Sequence, residues 1–188
     1  MNKLLLLTAA ALAGLASGPA FADATGTVNV TGTVGAKCAI SGPTSQNLEV
    51  NELSQANGTV VPNFDNAGSK QVSFSVICTS GNPTLKLSAT ALTYSAAFVA
   101  PGYTHVVHYT STLTANAASG TDPAALTYTT ADVLPGQVSE PVGGPLKNAL
   151  NNLTVAISNS HTTTATDLLA ASPTDGYVGT ITVVVSPT

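Results

Sequence analysis

The residues of this chain that could do chemistry are three histidines, two cysteines and nine carboxylates. His105 and His108 stand three positions apart, and an odd spacing on a strand sends two side chains to opposite faces. They are therefore not expected to share a metal, and His161 is expected to stand alone in a threonine-rich loop. No H-E-x-x-H, G-x-S-x-G or phosphate-cradling glycine loop occurs. The Asp and Glu residues are scattered, with no pair at a spacing that marks an acid/base couple. The expectation is a protein with no catalytic residues, no metal and no cofactor, hence not an enzyme.

Cys38 and Cys78 have a different chemistry open to them. The chain begins MNKLLLLTAAALAGLASGPAFA, in which Lys3 precedes an apolar run and Ala20-Phe21-Ala22 places small residues at a cleavage site. These are the parts of a secretory signal, so residues 1–22 are expected to be removed on export. The run is interrupted by Gly14, Ser17, Gly18 and Pro19 and falls short of a membrane span. No other segment suits one, so an integral helical membrane protein is not expected. Two cysteines in an oxidising compartment point to one structural disulfide, Cys38–Cys78. They lack the close C-x-x-C spacing of reactive or metal-binding pairs.

The mature chain, 188 minus 22 residues, suits one domain. Without Lys3 it carries four lysines, no arginine and nine acids, a net charge of −5. Phosphate backbones need a basic footprint, so nucleic acid is excluded as a partner. Only 7% of the residues are charged, yet Val, Ile and Thr recur at strand spacing, which argues for a folded β protein with a neutral surface.

Those strands would position everything else. Gln71–Cys78 alternates, with Val72, Phe74, Val76 and Cys78 inward, and Leu85, Leu87 and Ala89 do the same after the turn signal TSGNP. The two read as a hairpin. Further strands are expected over 48–53, 59–64, 104–113, 125–130 and 152–158, and a last one over Tyr177–Val185. The three-proline stretch LPGQVSEPVGGP at 134–145 reads as irregular, and Thr166–Ala171 as one helical turn at most. Eight or nine short strands with turns between them describe a β-sandwich. Tyr94, Phe98, Tyr103 and Tyr109 crowd one segment and are expected to be core aromatics of a chain that has no tryptophan. The N-x-Ser/Thr sequences at Asn29, Asn57 and Asn152 read as coincidence.

The stretch TGTVNVTGTVGAKCAI, Thr25–Ile40, keeps one two-residue period from Val28 to Ile40. Thirteen strand residues span roughly 43 Å, about twice the usual strand length. Either the strand breaks at Gly32 or Gly35, or its first residues fray, or its first half projects and pairs with another molecule. A projecting strand with one apolar face can complete a partner's sheet, its backbone giving affinity and its alternate side chains filling pockets.

With an exported chain, this alternating N-terminus, Cys38, the strand Val72–Cys78 bearing the second cysteine and the ending G-Y-x-G-T-I-T-V-x-V at Gly176–Val185, the sequence resembles the pilin subunits of archaic chaperone–usher systems and spore coat protein U-like proteins. The likeness covers the two ends and Ser73–Cys78. It departs from the family's usual aromatic ending by running on into Ser186-Pro187-Thr188, and Pro187 should stop the strand. The resemblance implies an all-β, immunoglobulin-like sandwich that is incomplete and completed by a donor strand. It implies a signal peptide at 1–22, a donor extension at 23–34 and a single domain at 35–188. The donor face would be Val28, Val30, Gly32 and Val34. The closing strand, with Tyr177, Ile181, Val183 and Val185, would line the acceptor groove. The implied partners are neighbouring copies, a periplasmic chaperone and an outer-membrane usher, with the periplasm as a stage before the cell surface or fibre. The competing expectation is a self-complete secreted sandwich that binds carbohydrate or a surface as a monomer. The two differ in whether residues 23–34 pair within their own domain. A small outer-membrane barrel is disfavoured by the scarcity of aromatic residues.

Overall fold

The computed structural model describes residues 29–50, 52–65, 70–95, 99–118, 124–130, 137–171 and 176–188. The expected signal peptide, Val28 and Phe98 lie outside them. The chain divides at Thr33–Val34 into two units, and the fold described here is that of Val34–Thr188.

Eleven strands are seen among the described residues: β1 (Cys38–Ser41), β2 (Lys70–Cys78), β3 (Thr84–Ala89), β4 (Leu92–Thr93), β5 (Tyr103–Thr104), β6 (Val106–Ala115), β7 (Ala124–Thr129), β8 (Gln137–Pro141), β9 (Leu153–His161), β10 (Leu168–Leu169) and β11 (Ile181–Ser186). One antiparallel sheet runs β1-β2-β9-β6, with β4 and β7 on the far edge of β6. A second runs β11-β3-β8. A short parallel pair, β5 with β10, lies apart from both. The expected all-β sandwich is what these sheets form, and the alternation of the sequence explains why. Leu85 and Leu87 of β3 face Leu113 and Ala115 of β6, Leu153 and Val155 of β9, and Val76 of β2 in one buried cluster. A smaller cluster gathers Phe64, Ala89 and Tyr109.

Several local expectations are corrected. β2 and β3 are not a hairpin: β2 pairs with β1 and β9, whereas β3 pairs with β11 and β8. Both strands have one apolar face, and burying both faces is achieved by laying them across the core from one another. The 79–83 turn is thus a crossover, held where Val142 N–H donates to the Pro83 carbonyl and Gly143 N–H to Asn82 Oδ1. The 134–145 stretch, expected to be irregular, contains β8, an edge strand whose proline sits at its end. The strands expected over 48–53 and 59–64 reduce to a single bridge, Ser54 with Val60, and a 3-10 turn at Pro62–Asp65. Residues 166–171 hold the strand β10 rather than a helical turn. His161 is not in a loop but ends β9, opposite His108, their ring centroids 5.7 Å apart. Of the thirteen-residue strand expected up to Ile40, only Cys38–Ser41 is strand among the described residues.

Candidate functional site

Among the described residues β11 is the last strand of its sheet, and its only strand partner is β3. Which of its backbone groups are left over follows from the register. Thr90 N–H donates to the Thr180 carbonyl at 2.9 Å, and Thr180 N–H donates to Thr90 Oγ1 at 2.9 Å, so these opposed residues point at each other. In an antiparallel ladder such pairs alternate with pairs whose groups point away. Ile181, Val183 and Val185, opposite Ala89, Leu87 and Leu85, therefore turn their N–H and C=O groups to the free edge. Gly179 makes the approach possible: a Cβ there would lie 3.0 Å from the carbonyl oxygens of both Thr90 and Ala91.

That free edge borders a groove of about 980 Å³. Its floor is Val72 and Phe74 of β2 with Val155 and Ile157 of β9, joined by Tyr109 and Leu92. One wall is Tyr177–Val183 and the other is the irregular run Thr44–Val50 after β1. Where β1 stops, opposite Ser75, the edge of β2 is met by the Gln46 amide, which donates to the Ser73 carbonyl at 2.7 Å. At the other side of the sandwich β7 and β8 come close and the layers are joined. The sandwich is thus open on one flank, where apolar side chains and an unpaired strand edge coincide. This arrangement can accept an extended segment whose alternate side chains are small and apolar.

Three of the four residues expected in the acceptor groove, Tyr177, Ile181 and Val183, line it, and Val185 packs on the main core. Sequence reading missed the floor and the 44–50 wall. The parity of Val72, Phe74, Val155 and Ile157 marks them as core-facing, and nothing in that pattern says which part of a core face is left uncovered. Burial pushes the Tyr109 phenol up to about 12, and burial, with Tyr94 alongside, pushes that of Tyr177 up to about 12. Both therefore present neutral rings at neutral pH.

Of the expected donor face, Val30 is 90% exposed and Val34 is 81% exposed, and a Cβ at Gly32 would meet nothing within 4 Å. Residues 29–37 form no strand, and the chain is tied down at their end: Thr79 N–H donates to the Lys37 carbonyl, and Thr79 Oγ1 to the Gly35 carbonyl. Cys38 and Cys78 are disulfide-bonded, directly opposite each other in the β1–β2 register. No cluster of three or more metal-ligating side chains is found among the described residues, and no helix of theirs is long and apolar enough to cross a membrane. Comparison with protein-family models, with curated proteins and with solved structures finds no match to this chain.

Proposed function

We propose that the protein is an exported structural subunit of a surface fibre or coat, with no catalytic step, whose copies join by strand exchange. Residues 28–34 of one copy would lie as an added strand in the groove of the next. The observation that carries this reading is the unpaired, groove-facing edge of β11 over an apolar floor. Seven donor residues span about 23 Å and the six of β11 about 20 Å, so the lengths suit one another. Val28, Val30, Gly32 and Val34 repeat every two residues, as do Ile181, Val183 and Val185. The resemblance to archaic pilins supports the same reading and adds a chaperone and an usher as the partners that would hold and deliver a subunit with an unfilled groove.

The sandwich also favours a polarity. The root of the extension, residues 35–37, is bound to Thr79, and Thr188 is bound to Ser80 and Asn82. The extension therefore joins the domain at the end where β11 finishes. A donor antiparallel to β11 leaves the acceptor at the opposite end, beside Val178, and the copies then stack head to tail without closing. A parallel donor would bring two like ends together in a closed pair.

Val30→Asp tests the assignment. Burying this valine is worth about 2 kcal/mol, and an aspartate would carry an uncompensated charge onto the apolar floor. Protein exported with its own leader is compared with Val30→Asp and with a deletion of residues 23–34 on denaturing gels, unheated and boiled. The expected result is a heat-sensitive ladder from the parent protein alone, with the variants unstable or aggregating because groove and edge stay open. A soluble, stable monomer from all three would replace the fibre by a self-complete binding module.

A further inference from the structure

We infer that His108 and His161 form a binding site for a divalent transition-metal ion that prefers imidazole nitrogen, Cu2+ ahead of Zn2+, a site independent of the strand-exchange reading. What brings the two together is a break in the β6–β9 ladder. Ala115 to Thr110 pair in order with Leu153 to Ser158, and then the register slips, so that His108 faces His161. Asn159 and Ser160 thus stand against Tyr109 alone, which is a β-bulge. Without the extra residue His108 would face Ser160, and His161 would turn to the other side of the sheet. The bulge creates the pair. Asn159 has a φ of 51°, and Asn63 and Phe64 of the 3-10 turn have 53° and 51°, a region that residues with side chains seldom enter. Asn159 N–H donates to Asn63 Oδ1 at 2.7 Å, and Phe64 N–H donates to Ser160 Oγ at 2.9 Å, so turn and bulge fix each other. Backbone held in this way gathers at functional sites.

The hydrogen bonds set the tautomers. His161 Nδ1 lies 2.8 Å from the Asn159 carbonyl, which can only accept, so Nδ1 carries the hydrogen and the neutral ring offers Nε2. Thr130 Oγ1 donates to the Tyr109 carbonyl at 3.3 Å and lies 3.4 Å from His108 Nδ1. With its hydrogen used on the carbonyl, the hydroxyl accepts from His108 Nδ1, and Nε2 is the basic nitrogen of this ring too. Thr163 Oγ1 is 3.4 Å from that atom. Metal-bound histidines are held in the same manner, one ring nitrogen donating to a fixed oxygen while the other binds. The spacing agrees. An ion about 2.0–2.1 Å from each nitrogen lies about 3.2 Å from each ring centroid, which puts two rings sharing it about 5.2 Å apart at a tetrahedral angle and about 6.4 Å apart at most. The observed separation is 5.7 Å. His108 is 3% exposed and His161 half-buried, so the ion enters from the His161 side. Both cysteines are held in the disulfide, so imidazole and not thiolate sets the preference, and two such nitrogens rank Cu2+ above Zn2+.

The chain has three histidines, so the ligands can be identified by counting. The exported full-length protein, His105→Gln and His161→Gln are each loaded with Cu2+ alone near neutral pH. The imidazole nitrogens on the ion are counted from the hyperfine pattern of electron paramagnetic resonance, which reads monomer and polymer alike. The expected result is one ion per chain with two imidazole nitrogens in the parent and in His105→Gln, where only His108 and His161 remain to supply them. In His161→Gln at most one nitrogen remains, and the affinity falls about tenfold or more. Fewer than two nitrogens in the parent, a second nitrogen lost with His105→Gln, or two nitrogens retained by His161→Gln overturns the site. The first two of these outcomes hold whether or not the His161 variant folds.

Discussion

At the scale of the residue, Asn152 shows how a polar side chain can stand in for a strand. It is 1% exposed; its Oδ1 accepts from Val76 N–H at 2.8 Å, and its Nδ2 donates to the carbonyls of Val76 at 2.7 Å and Lys147 at 2.8 Å. The β2–β9 ladder is paired to Phe74 and Leu153, and the carboxamide carries the pairing one step further, where backbone no longer faces backbone. Asn152→Ala would leave the buried N–H and C=O of Val76 without partners, a cost of about 2–4 kcal/mol. Denaturant unfolding should show that loss as a lower midpoint at unchanged slope; a midpoint within error of the parent would contradict it. The same burial makes the N-x-Thr sequence at Asn152 irrelevant to the folded chain. None of this was legible beforehand, because Asn152 reads only as the first residue of the strand expected over 152–158, and strand parity does not say what a carboxamide will bind. His161 was misplaced because the threonines that follow it, Thr162–Thr164, do lie outside the strand, whereas His161 itself is the last residue of β9.

At the scale of the element, what the sequence announced well was parity, and what it announced poorly was partnership. Leu85, Leu87, Val155 and Leu153 are all buried as their alternation requires. The same alternation cannot say whether two consecutive strands lie side by side or face to face, which is why β2 and β3 were read as a hairpin. β1 raises the question most sharply. It has only four residues and, among the described residues, pairs with β2 alone, so its place depends on the Cys38–Cys78 bond, which closes a separation of 40 residues. Loop-closure entropy gives that bond a contribution of about 4 kcal/mol. A double Cys38→Ala, Cys78→Ala variant should lose about that much stability, and the amides of Ala39 and Ser41, which the register turns towards β2, should exchange far faster than those of β9. If those amides exchange as slowly as in the parent, β1 is held by more than the disulfide.

At the scale of the whole molecule, the sandwich has one joined flank and one open flank. The open flank combines two features that a self-contained domain seldom leaves together, an apolar groove and an unpaired edge strand. The chain also carries an alternating segment of matching length, of which Val30 and Val34 are exposed. The long period of Thr25–Ile40 was visible in the sequence and prompted the idea of a projecting strand. The floor and the 44–50 wall of the groove were not, because the groove is assembled from six separated segments and exists only as the space between two sheets. The measurement that tests the central claim most directly is backbone hydrogen exchange at Ile181, Val183 and Val185, compared between monomeric and assembled protein. These three amides should exchange quickly in the monomer, where they face the open edge, and become strongly protected in the assembled form. Equal exchange in both states, or protection already present in the monomer, would contradict the account.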